Sequence, residues 1–125
     1  MMFTHLTVGT NDLVKAHAFY NLVLPTLGYV CLASMENSAV WGGADSRFVV
    51  LKPTDGNVAT VGNGVTIGFT APTRAAVDEF HKVALQAGGV DAGAPGPRNY
   101  GPHVYSAYVR DLDGHKIVAT CLNLE

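Results

Sequence analysis

The residues of this chain with chemical potential are few and scattered. His5 opens an alternating apolar run, and an imidazole there can take or give a proton near neutral pH. A base needs an orienting group, and no carboxylate partner for His5 is identifiable, so it reads first as a hydrogen-bonding residue and second as an acid/base. Trp41, the single tryptophan, reads equally as the aromatic wall of an apolar pocket or as core. The stretch 95–105 gathers Arg98, Tyr100, His103 and Tyr105, all able to hydrogen-bond a ligand, in a Gly- and Pro-rich setting that reads equally as a lid or as a surface loop. Cys31 and Cys121 lie far apart, with no metal-type spacing and no nucleophile context. Gly62-Asn63-Gly64 precedes a strand rather than a helix, so it is no phosphate loop. Asp111 and Asp113 read as turn formers, Arg47 as solvated at a strand end, and His17, His81 and His115 as solvated.

Composition narrows the function classes. A chain of 125 residues suits one domain, and 48% hydrophobic content with only 14% charged residues excludes intrinsic disorder. Eight basic and ten acidic residues with no basic stripe leave no footprint for nucleic acid. No apolar run approaches the roughly 20 residues that cross a bilayer. The N-terminal residues lack the charged and apolar regions of a signal peptide, so a cytoplasmic protein with free thiols is expected.

The elements that must position these side chains come from periodicity. Residues 3–9 alternate and predict a strand. Asn11 or Asp12 caps a helix whose apolar stripe is Leu13, Ala16, Tyr20, Val23, Leu24 and Leu27, ended near Leu24 by Pro25. Strands are expected at 29–34, 38–42 and 47–52, then a linker over 53–64. A strand at 65–70 leads through Pro72-Thr73 to a second helix, striped by Val77, Phe80, Val83, Ala84 and Ala87 and stopped by Gly88-Gly89. The stretch 91–103 is expected to be a long loop, followed by a hairpin of strands at 104–110 and 115–121 around Asp111-Leu112-Asp113-Gly114. The order strand, helix, strands occurs twice. An offset of 61 lays His5 on Thr66 and Phe19 on Phe80, and an offset of 68 lays Val50 on Val118.

Each strand presents alternate side chains to two faces. Leu6 and Val8 oppose Phe3, His5 and Thr7. Ile67 and Phe69 oppose Thr66 and Gly68, and Ile117, Ala119 and Cys121 oppose Lys116, Val118 and Thr120. The more apolar set should pack on the helices, leaving His5, Thr66 and Val118 on the other face, with Val50 joining them by the second offset.

The sequence resembles the vicinal oxygen chelate superfamily of glyoxalase, bleomycin-resistance and dioxygenase proteins. The carriers are His5-Leu6-Thr7-Val8, Asp12-Leu13, Phe19-Tyr20 and Leu24-Pro25-Thr26-Leu27-Gly28-Tyr29. The second half adds 65–72, 75–80 and Val109-Arg110-Asp111-Leu112-Asp113-Gly114. The resemblance implies an α+β fold in a single domain, 1–125. Two tandem βαβββ modules, about 1–55 and 64–125 around a linker of 56–63, would form a cupped mixed sheet with the helices on its convex side. Metal-using members hold a divalent ion at four cup positions, which fall here on His5, Val50, Thr66 and Val118. Only His5 is a donor of the required kind, so no metal and no other cofactor is expected. The expectation is a protein that binds a small, largely apolar molecule through His5, Trp41, Val50, Thr66, Tyr100, His103, Tyr105 and Val118. The alternative is a lyase, isomerase or dioxygenase-type enzyme with a non-standard metal site, using His5 and perhaps His103, or with His5 as acid/base. A structural or interaction role is the third class. The resemblance also implies a homodimer.

Overall fold

Local chemistry sets the helix ends. Asp12 is extended, and its carboxylate accepts the backbone N–H of Lys15, which opens helix α1 (Leu13–Val23). Pro25 has no N–H to continue it, so the chain tightens into a 3-10 turn over Leu24–Leu27 and exits through Gly28 at φ 91°. Thr73 repeats the capping, its hydroxyl accepting the N–H of Ala76 at the start of α2 (Arg74–Gln86). The computed structural model describes residues 2–125.

The strands complete two modules of the same order. The first contains β1 (His5–Gly9), β2 (Val30–Ser34), β3 (Ser38–Gly42) and β4 (Arg47–Leu51), and the second contains β5 (Thr66–Thr70), β6 (Val90–Pro97), β7 (Tyr105–Arg110) and β8 (Lys116–Cys121). Their sheet orders are β1-β4-β3-β2 and β5-β8-β7-β6. Within each sheet the first and last strands of the module pair in parallel and the other pairs are antiparallel. The α+β two-module architecture is therefore present, with the cup assembled from two four-stranded sheets rather than from one hydrogen-bonded sheet.

Two contacts fix how the sheets meet. The end of β1 lies by the hairpin before β8, where the His115 Nε2 donates to the Gly9 carbonyl at 2.6 Å. The start of β1 lies by the end of β5, since Phe3 and Leu6 share a crevice with Gly68, Phe69 and Thr70. Strands β1 and β5 therefore run past each other in opposite directions along a seam. Both helices lie on one side of it. Phe19, Tyr20, Val23 and Leu24 from the first module and Val77, Phe80 and Ala84 from the second share one core with Trp41, Phe48, Val50 and Ile117. Phe48 and Phe69 meet edge to face across the seam at 5.1 Å.

Three expectations are corrected here. The stretch 91–103 is not all loop, because Val90–Pro97 forms the edge strand β6. It carries irregularities between Asp91 and Gly93 and between Gly93 and Gly96, and an edge strand tolerates proline because its outer N–H groups need no partner. His115 is buried, not solvated. His81 is largely covered and donates to Asp91 at 2.9 Å, which holds the Asp91 carboxyl below its usual range.

Candidate functional site

Sheet register decides which residues face the cup. Leu6 and Val8 are directly opposite Phe48 and Val50, while His5 and Thr7 are opposite Arg47 and Val49. Paired residues share a face. The buried set, Val8, Phe48 and Val50, packs on the helices, so His5, Thr7, Arg47 and Val49 face the open side. In the second sheet Thr66 pairs with Lys116 and Gly68 with Val118, and Tyr108 pairs with Val118 across the next strand. Thr66, Gly68, Lys116, Val118, Tyr108 and Arg110 therefore line the cup.

This register corrects the placement of Val50. It lies 1% exposed in the core beneath α1 and cannot touch a cup ligand. The hairpin between β3 and β4 is one residue shorter than the one between β7 and β8, Gly42 pairing with Arg47 where Arg110 pairs with Lys116. The offset of the repeat lengthens by one across the turn, and a one-residue slip exchanges the two faces of a strand. The residue equivalent to Val118 is Val49.

The four positions that would hold the family metal are thus His5, Val49, Thr66 and Val118: one imidazole, one hydroxyl and two hydrocarbons. Such a set does not fit a divalent ion, which needs several nitrogen or carboxylate donors converging. Among the described residues no three His, Cys, Asp or Glu side chains cluster as metal ligands. Among the described residues the His5 ring shares one hydrogen bond, with the Thr4 hydroxyl at 2.9 Å, and no carboxylate orients it.

The remaining candidates separate. Trp41 is fully buried, with its indole N–H donating to Asn21 at 2.9 Å and its ring packed on Tyr20. It is core, and where it reaches space it is on the helix side of the sheet. Tyr105 also turns to the helices. Its hydroxyl donates to Asp78 at 2.7 Å, a bond that raises the phenol pKa, and Arg74 stacks on its ring. Tyr105 therefore leaves the cup, because its strand neighbour Ser106 takes the cup-facing position. His103 stands in the exposed β6–β7 connection in a left-handed conformation, φ 61°. Tyr100 reaches back from that connection to hydrogen-bond the hydroxyl of Tyr108, which raises the Tyr108 pKa.

Tyr108 is the cup residue that sequence reasoning left unplaced. Lys116 lies over its ring at 5.1 Å and Arg98 at 5.5 Å. Gly93 and Gly96 lie alongside the Arg98 guanidinium, and a side chain at Gly93 would crowd the Tyr108 ring. Arg98 also donates to the carbonyls of Ala94, Gly96 and Pro97. Arg98 and Tyr100 thus tie the stretch 95–105, which reads from sequence equally as a lid or as a surface loop, to β6 and β7.

A concavity lies at the seam. A crevice of about 400 Å³ runs from the cup-facing Arg47, Gly68 and Thr70 to a floor of Leu24, Trp41, Phe48 and Ile67.

The chain is similar over its whole length to a glyoxalase/bleomycin resistance protein from Albidiferax ferrireducens T118, at 36% identity, covering 97% of this chain and 98% of that one with a TM-score of 0.90. The chain belongs to the glyoxalase/bleomycin resistance protein family. This places it in the vicinal oxygen chelate superfamily. More distant structures share the fold. One is a glyoxalase/bleomycin resistance protein/dioxygenase family enzyme from Burkholderia phytofirmans PsJN, at 19% identity over 96% of this chain and 98% of that one, TM-score 0.74. Another is a glyoxalase-related enzyme from Fulvimarina pelagi, at 17% identity over 97% of this chain and 88% of that one, TM-score 0.77. No protein-family model and no curated protein sequence matches the chain.

Proposed function

We propose that this family member binds a small, largely apolar molecule in its cup and does so without the family metal. The observation that carries the reading is the pair Val49 and Val118, which occupy the corresponding positions of the two modules where metal-using relatives place ligands. Val40, opposite Val49 on β3, extends the apolar floor; His5, two residues before the Val49 partner Thr7, and Thr66, two residues before the Val118 partner Gly68, supply hydrogen-bonding groups at opposite ends of the seam. The assembly proposed is a homodimer, and free Cys31 and Cys121 suit a reducing cytoplasm.

A thermal-shift screen with small aromatic compounds tests the reading. A ligand at about 100 times its Kd stabilises by about 2.7 kcal/mol, which raises Tm by several degrees. The shift should survive a chelator and disappear in Val118→Glu, which puts an unpaired carboxylate on the cup floor. Native protein that carries stoichiometric metal, lost together with turnover in His5→Ala, would overturn it.

A further inference from the structure

We infer that the molecule taken by the cup is an anion: an apolar body carrying a carboxylate or similar acidic group, recognised at Lys116 and Tyr108. This rests on the reading of the cup as a ligand site and adds the charge of the ligand.

The argument begins with where the charges lie. The protein has ten acidic and eight basic residues, so an even scatter would leave the cup slightly negative. The strands do the opposite. Arg47, Arg110 and Lys116 are the cationic residues within strands, and register puts all three on the cup face. Asp91 is the one acidic residue within a strand, and it faces α2, where it accepts from His81. Arg98 adds a fourth cation on the cup side through its stack on Tyr108.

These cations are not equally available. Arg47 is committed through one nitrogen to the carbonyls of Gly43, Asp45 and Ser46, Arg110 donates to the carbonyl of Gly114, and Arg98 is committed through both terminal nitrogens to the carbonyls of Ala94, Gly96 and Pro97. Lys116 differs. Among the described residues it forms no ion pair, and its ammonium rests on the Tyr108 ring. The Tyr108 hydroxyl is paired with that of Tyr100, so one of the two phenol protons closes that bond and the other is left to offer to a ligand. A free ammonium and a phenol pair thus stand together beside the apolar Val118, with the Arg98 guanidinium adding its positive field, on a face with no acidic strand residue. An anion gains charge-assisted hydrogen bonds there, and a cation meets repulsion.

The test is binding of naphthalene-2-carboxylate against its neutral isostere naphthalene-2-carboxamide, measured by isothermal titration calorimetry on the full chain. The expected result is a preference for the carboxylate of roughly ten-fold or more at low salt, from charge-assisted bonds, narrowing as salt rises. Lys116→Met should remove most of the preference while leaving amide affinity within about two-fold, and Val118→Trp, which fills the floor, should abolish binding of both. Equal binding of acid and amide, or tighter binding of the amine 2-naphthylmethylamine, would overturn the anion inference while leaving the cup reading intact. Binding of neither probe would overturn both.

Discussion

The two hairpins that close the modules stand at opposite ends of the seam and are built on opposite principles. The hairpin Asp111–His115 of the second module is bolted to the first. Tyr20 donates to the Asp111 carboxylate, Asp113 accepts the backbone N–H of Asn11 at 2.9 Å, and His115 donates to Gly9. Asp111 also accepts from the backbone N–H groups of Asp113 and His115, so a single carboxylate organises both the turn and the interface. The hairpin 43–46 of the first module sends no side chain across. Its residues are Gly43, Ala44, Asp45 and Ser46, and beside it the tie between modules is the Tyr29 hydroxyl on the Thr70 carbonyl at 2.8 Å. Between this hairpin and β5 lies the 400 Å³ crevice. One seam end is spent on stability, and the other is left with space.

The comparison is broken most severely at Asp111. Asp111→Ala leaves the buried Tyr20 hydroxyl and two backbone donors without their acceptor. The expected cost is about 3 kcal/mol, read as a lower urea midpoint with unchanged slope. A loss near 0.5 kcal/mol would show that the sealed end contributes no more than the open one.

The same contact predicts a response to alkali. Burial, and then the neighbouring Asp111 carboxylate, raise the Tyr20 pKa well above that of an ordinary phenol. The unfolded phenol therefore releases its proton first. Between the unfolded and folded pKa values the native state holds more protons, so stability falls as pH rises. The contribution is complete below about pH 10 and declines above it by up to about 1.4 kcal/mol per pH unit. Tyr20→Phe should flatten that part of the stability profile. At the open end, Tyr29→Phe removes one partly exposed hydrogen bond and should cost about 1 kcal/mol or less in the same unfolding measurement.

The sealed end also shows what the sequence made legible. Strong periodicity marked β1, α1, β5 and α2, and Asp-Leu-Asp-Gly marked the second hairpin, because apolar spacing and turn chemistry are local signals. The role of Asp111 across the seam was not legible. A turn-forming aspartate looks the same whether its second oxygen meets water or a buried tyrosine. Val50 failed for a different reason. The two hairpins differ by one residue, and side-chain facing depends on parity, so a repeat aligned before the turn inverts after it. The edge strand β6 was hidden by its glycines and prolines, whose local preference is overridden by pairing with β7. Tyr105 and Tyr108 are three residues apart, and only register shows that Tyr108 enters the cup.

The smallest expected effect gives the sharpest reading of the open end. Asp45 is exposed in the first hairpin, and its backbone carbonyl, rather than its carboxylate, accepts from Arg47. Asp45→Ala keeps that carbonyl, so the turn retains its guanidinium clasp. The change should therefore lie within about 0.5 kcal/mol in urea unfolding, as for surface positions without buried partners. Asp111→Ala should cost several times more, although both are aspartate-to-alanine changes in the hairpins of a repeated fold. If Asp45→Ala instead costs as much as Asp111→Ala, its carboxylate holds a tie across the seam, and the crevice is a closed joint between the modules.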